Sequence, residues 1–66
     1  MRFEVIAVDK ESWLVRVLST HETREEAMAV VERLLGAPGA RSGPESFGVA
    51  PAGNYRTGDE YGQTYL

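Results

Sequence analysis

The sequence predicts a small single-domain α+β protein of β-β-α-β type: a β-hairpin, one amphipathic helix packed on the sheet, then a C-terminal strand or hairpin. Three observations carry that prediction. Two runs rich in β-branched and aromatic residues, 3–8 and 13–18, stand close together near the start. A segment with a helix-start signal and helical periodicity follows them. Glycine and proline are confined to the second half, with all seven glycines and all three prolines inside 36–66 and none inside 1–35. Ten of those 31 positions are therefore backbone-special, a density at which composition reads as loop-rich or disordered. Apolar residues number 18 of the first 35 and 10 of the last 31, so 1–35 is expected to be the ordered ββα unit.

The hairpin comes first. Phe3-Glu4-Val5-Ile6-Ala7-Val8 and Trp13-Leu14-Val15-Arg16-Val17-Leu18 flank Asp9-Lys10-Glu11-Ser12, a polar cluster suited to a turn. Placing Phe3 opposite Val17, Val5 opposite Val15 and Ala7 opposite Trp13 makes one face wholly apolar. It also sets Glu4 against Arg16 on the reverse face, beside Ile6 against Leu14. A slip of one residue would bury a charge on either face, so this register, with a five-residue connection, is the expected one.

The helix is expected over about 24–35. Thr23-Arg24-Glu25-Glu26 fits a capping box, and its glutamates complement the positive end of the helix dipole. Ala27, Val30, Val31, Leu34 and Leu35 follow at i, i+3, i+4, i+7 and i+8, which is one helical face. Gly36 suits the position just past the end, and Pro38 forbids continuation.

Beyond Gly36 the pattern is sparser. Residues 46–50 read as a short strand closed by Pro51. Tyr55-Arg56-Thr57 and Glu60 to Tyr65 flank Gly58-Asp59, which permits a tight hairpin. The alternative for 36–66 is partial disorder that resolves on binding. The hairpin and the T-x-E-E-A helix start at Thr23–Ala27, about the first 27 of 66 positions, resemble in pattern small β-β-α modules, HicB-like antitoxin domains among them. The proline- and glycine-bearing loop of that family is missing, since only Ser19–Glu22 intervene, and no helix-turn-helix or ribbon segment follows. The resemblance is to a generic element, and the chain is not assigned to that family.

Composition excludes several function classes. There are no cysteines, hence neither disulfides nor thiolate metal ligands. No apolar run approaches the roughly 20 residues that span a bilayer, and the N-terminus lacks a signal-peptide pattern. A cytoplasmic protein without membrane attachment is the expectation. Net charge is -3, and the seven bases form no run or stripe, which argues against nucleic acid.

Catalysis finds no support either. His21 is the only histidine, so a metal site would lack a second imidazole. Asp9 and Glu11 lie in a turn that supplies no cleft for acid/base work. The GxxxxG spacing of Gly53–Gly58 is followed by Asp59 where a phosphate loop needs lysine. Gly36-Ala37-Pro38-Gly39 has the outline of a GXXG loop without basic charge, and helix termination explains it. The sequence predicts no catalytic residue, cofactor or metal.

Two surfaces remain. Ile6, Leu14 and Leu18 sit on the hairpin face that the helix does not cover, and need the tail, a second subunit or a partner. Tyr55, Arg56, Tyr61 and Tyr65 bring interface-favoured residue types into the glycine-rich segment. These seven are the candidate interface. The expected function is a non-enzymatic interaction module binding protein through a sheet face, an open sheet edge or the tyrosine-bearing tail, with homodimerisation as one form. The alternative is a small acidic regulator or inhibitor of a nucleic-acid-handling protein, of the kind phages and mobile elements encode, meeting a basic surface through Glu22, Glu25, Glu26 and Glu32.

Overall fold

The computed structural model describes residues 1–62. Strands β1 (Phe3–Asp9) and β2 (Val15–His21), helix α1 (Arg24–Leu35), a short 3-10 turn (Ala40–Ser42) and strand β3 (Glu45–Pro51) follow in that order. The α+β architecture expected from the sequence is present. Sheet order is β2-β1-β3 with both pairings antiparallel. β2 and β3 therefore run parallel on either side of β1, and α1 is the crossover between them, passing over the central strand.

β1 is central because it is apolar on both faces. Val5 and Ala7 point one way, Ile6 and Val8 the other, and all four are buried. On one side α1 packs Ala27 and Val31 against Val5, with Phe3, Val30, Leu34, Leu35, Phe47 and Val49 around them. All five helix positions named by periodicity are in that cluster. On the other side Ile6, Val8, Val15, Ala50 and Tyr55 form a second cluster, joined by Val17.

The helix begins where the capping box places it. Thr23 is the N-cap in extended conformation, and its hydroxyl accepts the Glu26 amide at 3.2 Å. Glu26 reaches back to the Thr23 hydroxyl rather than to its backbone. Gly36 departs from expectation. Its φ of -76° is right-handed, and the left-handed turn falls at Gly39, φ 76°, after Pro38 has stopped the helix.

The hairpin register differs from the expected one. Phe3 faces His21 and Val5 faces Ser19, then Ile6 faces Val17 and Val8 faces Val15. Leu18 is the extra residue of a β-bulge between those blocks. The turn is the physical reason for the displacement. Asp9 accepts the amides of Glu11 at 2.8 Å and Ser12 at 2.9 Å, and the Asp9 amide donates to the Leu14 carbonyl at 3.0 Å. Four residues are thereby held outside the ladder, including Trp13, which turns left-handed at φ 63° instead of pairing with Ala7. The bulge then switches facing, so Val15 and Val17 join Ile6 and Val8 while Ser19 and His21 share the helix side. A uniform period of two could not show this.

Glu4 accordingly does not meet Arg16; it faces Thr20. Arg16 lies opposite Ala7, and its guanidinium pairs with Glu45 on β3 at 2.8 Å, spanning the central strand. The expected strand at 46–50 is β3, one residue longer at each end. The expected hairpin across Gly58-Asp59 is replaced by a turn. Residues 57–61 run along the outer edge of β2, and Leu14 bridges to Glu60. Tyr65 and the end of that expected strand lie outside the described residues.

Candidate functional site

The site is built on the sheet face away from α1. Its floor comes from Ile6 and Val8 of β1 and from Gly48 and Ala50 of β3, which stand on the same face by pairing. Two small residues in that half of the floor leave a depression beside the larger β1 side chains.

Two anchors bring the tail across this face. The first is Glu4, the one charged residue in β1's buried run and only 4 % exposed. Its carboxylate accepts the amide of Tyr55 at 3.0 Å and that of Gly53 at 3.4 Å. A carboxylate bonded to two backbone amides tolerates a burial that an unpaired one does not. The loop whose glycine spacing resembles a phosphate cradle thus holds a side chain of its own protein. The second anchor is the turn at 56–59. Asp59 donates its amide to the Arg56 carbonyl at 3.0 Å and accepts the Arg56 amide on Oδ2 at 2.6 Å, with Gly58 at φ 99°. Only glycine adopts that φ without a Cβ penalty. The chain then pairs with β2: Val15 donates to the Asp59 carbonyl, Gly58 to the Val15 carbonyl, Val17 to the Thr57 hydroxyl and Tyr61 to the Trp13 carbonyl.

These anchors assemble a row of aromatic rings. Tyr55 is buried against Ile6 and Ala50. Tyr61 stacks on it at 5.7 Å between centroids and 16° between planes, and Trp13 stacks on Tyr61 at 6.3 Å and 26°. The Tyr55 hydroxyl accepts the Gly62 amide at 3.2 Å, which fixes its outer end. Trp13 and Tyr61 remain 55 % and 49 % exposed. Between this row and β3 lies a cleft of about 360 Å³, with Asp9, Lys10, Ser46 and Asn54 among its polar members. The Lys10 ammonium is held away by the Arg41 carbonyl at 3.0 Å. Asp9 is kept below the ordinary carboxylate range by the Ser12 amide first and the Glu11 amide second.

The structure separates the seven sequence-predicted residues. Ile6, Tyr55 and Tyr61 come together at the cleft, but Ile6 and Tyr55 are buried there as floor and inner wall, covered by the tail of the same chain. Leu14 and Leu18 are exposed outside the cleft, the latter at the bulge. Arg56 is an exposed turn residue. Tyr65 lies outside the described residues. Sequence reasoning missed Trp13 by assigning it to a strand, although it follows the Asp-x-x-Ser signal of a turn. It missed Glu4 by giving it a surface partner, although a lone acid inside an apolar run calls for buried donors.

Ser19 Oγ and His21 Nε2 stand 2.8 Å apart on β2, but Glu22, the adjacent carboxylate, is engaged by Arg2 at 3.1 Å, and among the described residues no acid orients the ring. Among the described residues no group of three His, Asp or Glu side chains is arranged to hold a metal ion. No helix among them is long and apolar enough to cross a membrane. Comparison with protein-family models, curated proteins and solved structures finds no match.

Proposed function

We propose that this protein is a non-enzymatic interaction module that takes an apolar side chain of a protein partner into the cleft between the Trp13–Tyr61–Tyr55 row and β3. One observation carries the reading: two large aromatic rings stay about half exposed in a fixed stack beside an apolar depression, where a monomer with no partner would cover or replace them. A recess of this size suits one side chain with its flanking backbone. Pre-stacked rings also lose little rotamer freedom on binding, which is why Trp and Tyr dominate interface energetics. The acidic-regulator reading has less to recommend it. Arg24 and Arg33 interrupt Glu25, Glu26 and Glu32 along the exposed side of α1, so the charge there is mixed.

A titration with N-acetyl-leucine amide and N-acetyl-phenylalanine amide, followed by amide NMR, tests the proposal. Saturable shifts are expected at the Trp13 indole, Gly48 and Ala50, and are lost in Trp13→Ala. Shifts absent there, or spread over the helix face, overturn it.

A further inference from the structure

We propose that the outer edge of β3 receives the β3 strand of a second copy of this chain, closing a two-fold symmetric dimer. The two sheet edges are treated unequally. The chain's own residues 57–61 occupy β2's outer groups at Trp13, Val15 and Val17. Among the described residues no backbone group hydrogen-bonds to the outer edge of β3 at Glu45, Phe47 or Val49.

The hydrogen-bond phase of β3 follows from its ends. Ala52 donates to the Arg2 carbonyl and Lys10 to the Pro44 carbonyl. Even-numbered residues of β3 therefore face β1, and the backbone groups of Glu45, Phe47 and Val49 face outward. Antiparallel pairing of this triplet with itself, centred on Phe47, sets Glu45 against Val49 of the other copy and Phe47 against its own counterpart. Each outward amide then meets a carbonyl, six bonds in all by the antiparallel rule. Pro44 and Pro51 bracket the triplet, and neither proline nitrogen is asked to donate.

Three further features select a second copy over other occupants. No like charges are opposed, because Glu45 is already tied to Arg16 and faces a valine. Half-buried apolar side chains border the edge: Phe47 and Val49 on β3, and Leu35 of α1 beside Phe47 in a shallow depression. Met28, seven residues before Leu35, shares its flank and is exposed. Finally, the capped β2 edge stops growth at two copies, so the contact closes instead of propagating as a fibre. The strand overlap in this register, residues 45–49, is about 17 Å long. With those side chains it makes a small contact, which fits a readily exchanging dimer. The cleft opens on the other face, and Phe47 and Val49 contribute to its lining as well as to this edge.

Sedimentation equilibrium on the full chain, with Val49→Pro beside Val49→Ala, tests it. The Val49 amide points outward, so proline there removes no internal ladder bond, whereas alanine controls for the lost side chain. The wild type is expected to approach twice its 7.3 kDa mass as concentration rises. Val49→Pro removes two bonds by symmetry and should weaken association about tenfold or more relative to Val49→Ala. A dilution series of the wild-type amide spectrum gives an independent reading without any variant. The Glu45, Phe47 and Val49 amides should move, and those of Leu18 and Thr20 on the opposite edge should not. A strict monomer at millimolar concentration, equal association of the two variants, or shifts confined to β2 would each overturn the proposal.

Discussion

The carboxylate of Glu4 accepts the backbone amide of Tyr55 at 3.0 Å, a bond between residues 51 positions apart that fastens the glycine-rich tail to the central strand. With the Gly53 amide on its other oxygen, Glu4 decides where the tail crosses the sheet and hence where the aromatic row stands.

Replacing Glu4 therefore tests the fold and the cleft together. Glu4→Ala leaves two amides without acceptors beneath the loop and is expected to cost about 2–3 kcal/mol; Glu4→Gln keeps one acceptor and should cost about 1–2 kcal/mol. Urea unfolding at neutral pH measures both. Faster exchange at Gly53 and Tyr55, with Val31 unaffected, would show that the loss is local.

Asp9 predicts an acid dependence. The amides of Ser12 and Glu11 hold its folded pKa below the 3.8 of an unperturbed aspartate, so the unfolded chain binds a proton more readily. Its contribution to stability is complete above that unfolded value and is lost as pH falls through the lower folded one. A carboxyl NMR titration should place Asp9 below 3.8. Asp9→Asn should flatten the acid limb of the stability curve.

Trp13 opposes two terms. Its left-handed backbone at φ 63° is unfavourable for any residue with a Cβ, and its ring gains from stacking on Tyr61. Both Trp13→Ala and Trp13→Gly lose the stack, but only alanine retains the strain. Thermal melts should find the glycine variant the more stable of the two by about 1 kcal/mol. Equal stability would mean that the turn relaxes once the ring is gone.

Gly48 separates stability from binding. It lines the cleft within β3, and a Cβ built on it meets no atom within 4 Å. Gly48→Val should raise stability by about 0.5–1 kcal/mol through strand preference while filling the recess. Denaturant unfolding and the amide titration should thus move in opposite directions.

Much of the α1 side was legible. The Thr23 cap, the stripe from Ala27 to Leu35 and the stop at Pro38 are local signals, each spanning a turn or two of helix. The hairpin was legible in kind and mistaken in register. Apolar pairing favoured Phe3 with Val17, but the Asp9 turn and the Leu18 bulge decided otherwise, and a bulge leaves no mark in a period of two. The cleft was least legible. Its walls come from residues 13, 55 and 61, brought together through a buried carboxylate and backbone bonds along β2 that no spacing encodes.

By itself the sequence determined the elements and their order: two apolar strands, a capped amphipathic helix and a short third strand, with two apolar faces on β1 that both require cover. Those outcomes rest on interactions among near neighbours, which composition and periodicity report. Only the tertiary structure decided that the glycine-rich tail supplies the second cover, that Ile6 and Tyr55 lie beneath it, and that β2 rather than β3 has its edge closed. Each of those depends on long-range hydrogen bonds whose partners are chosen by geometry, after the local elements have formed.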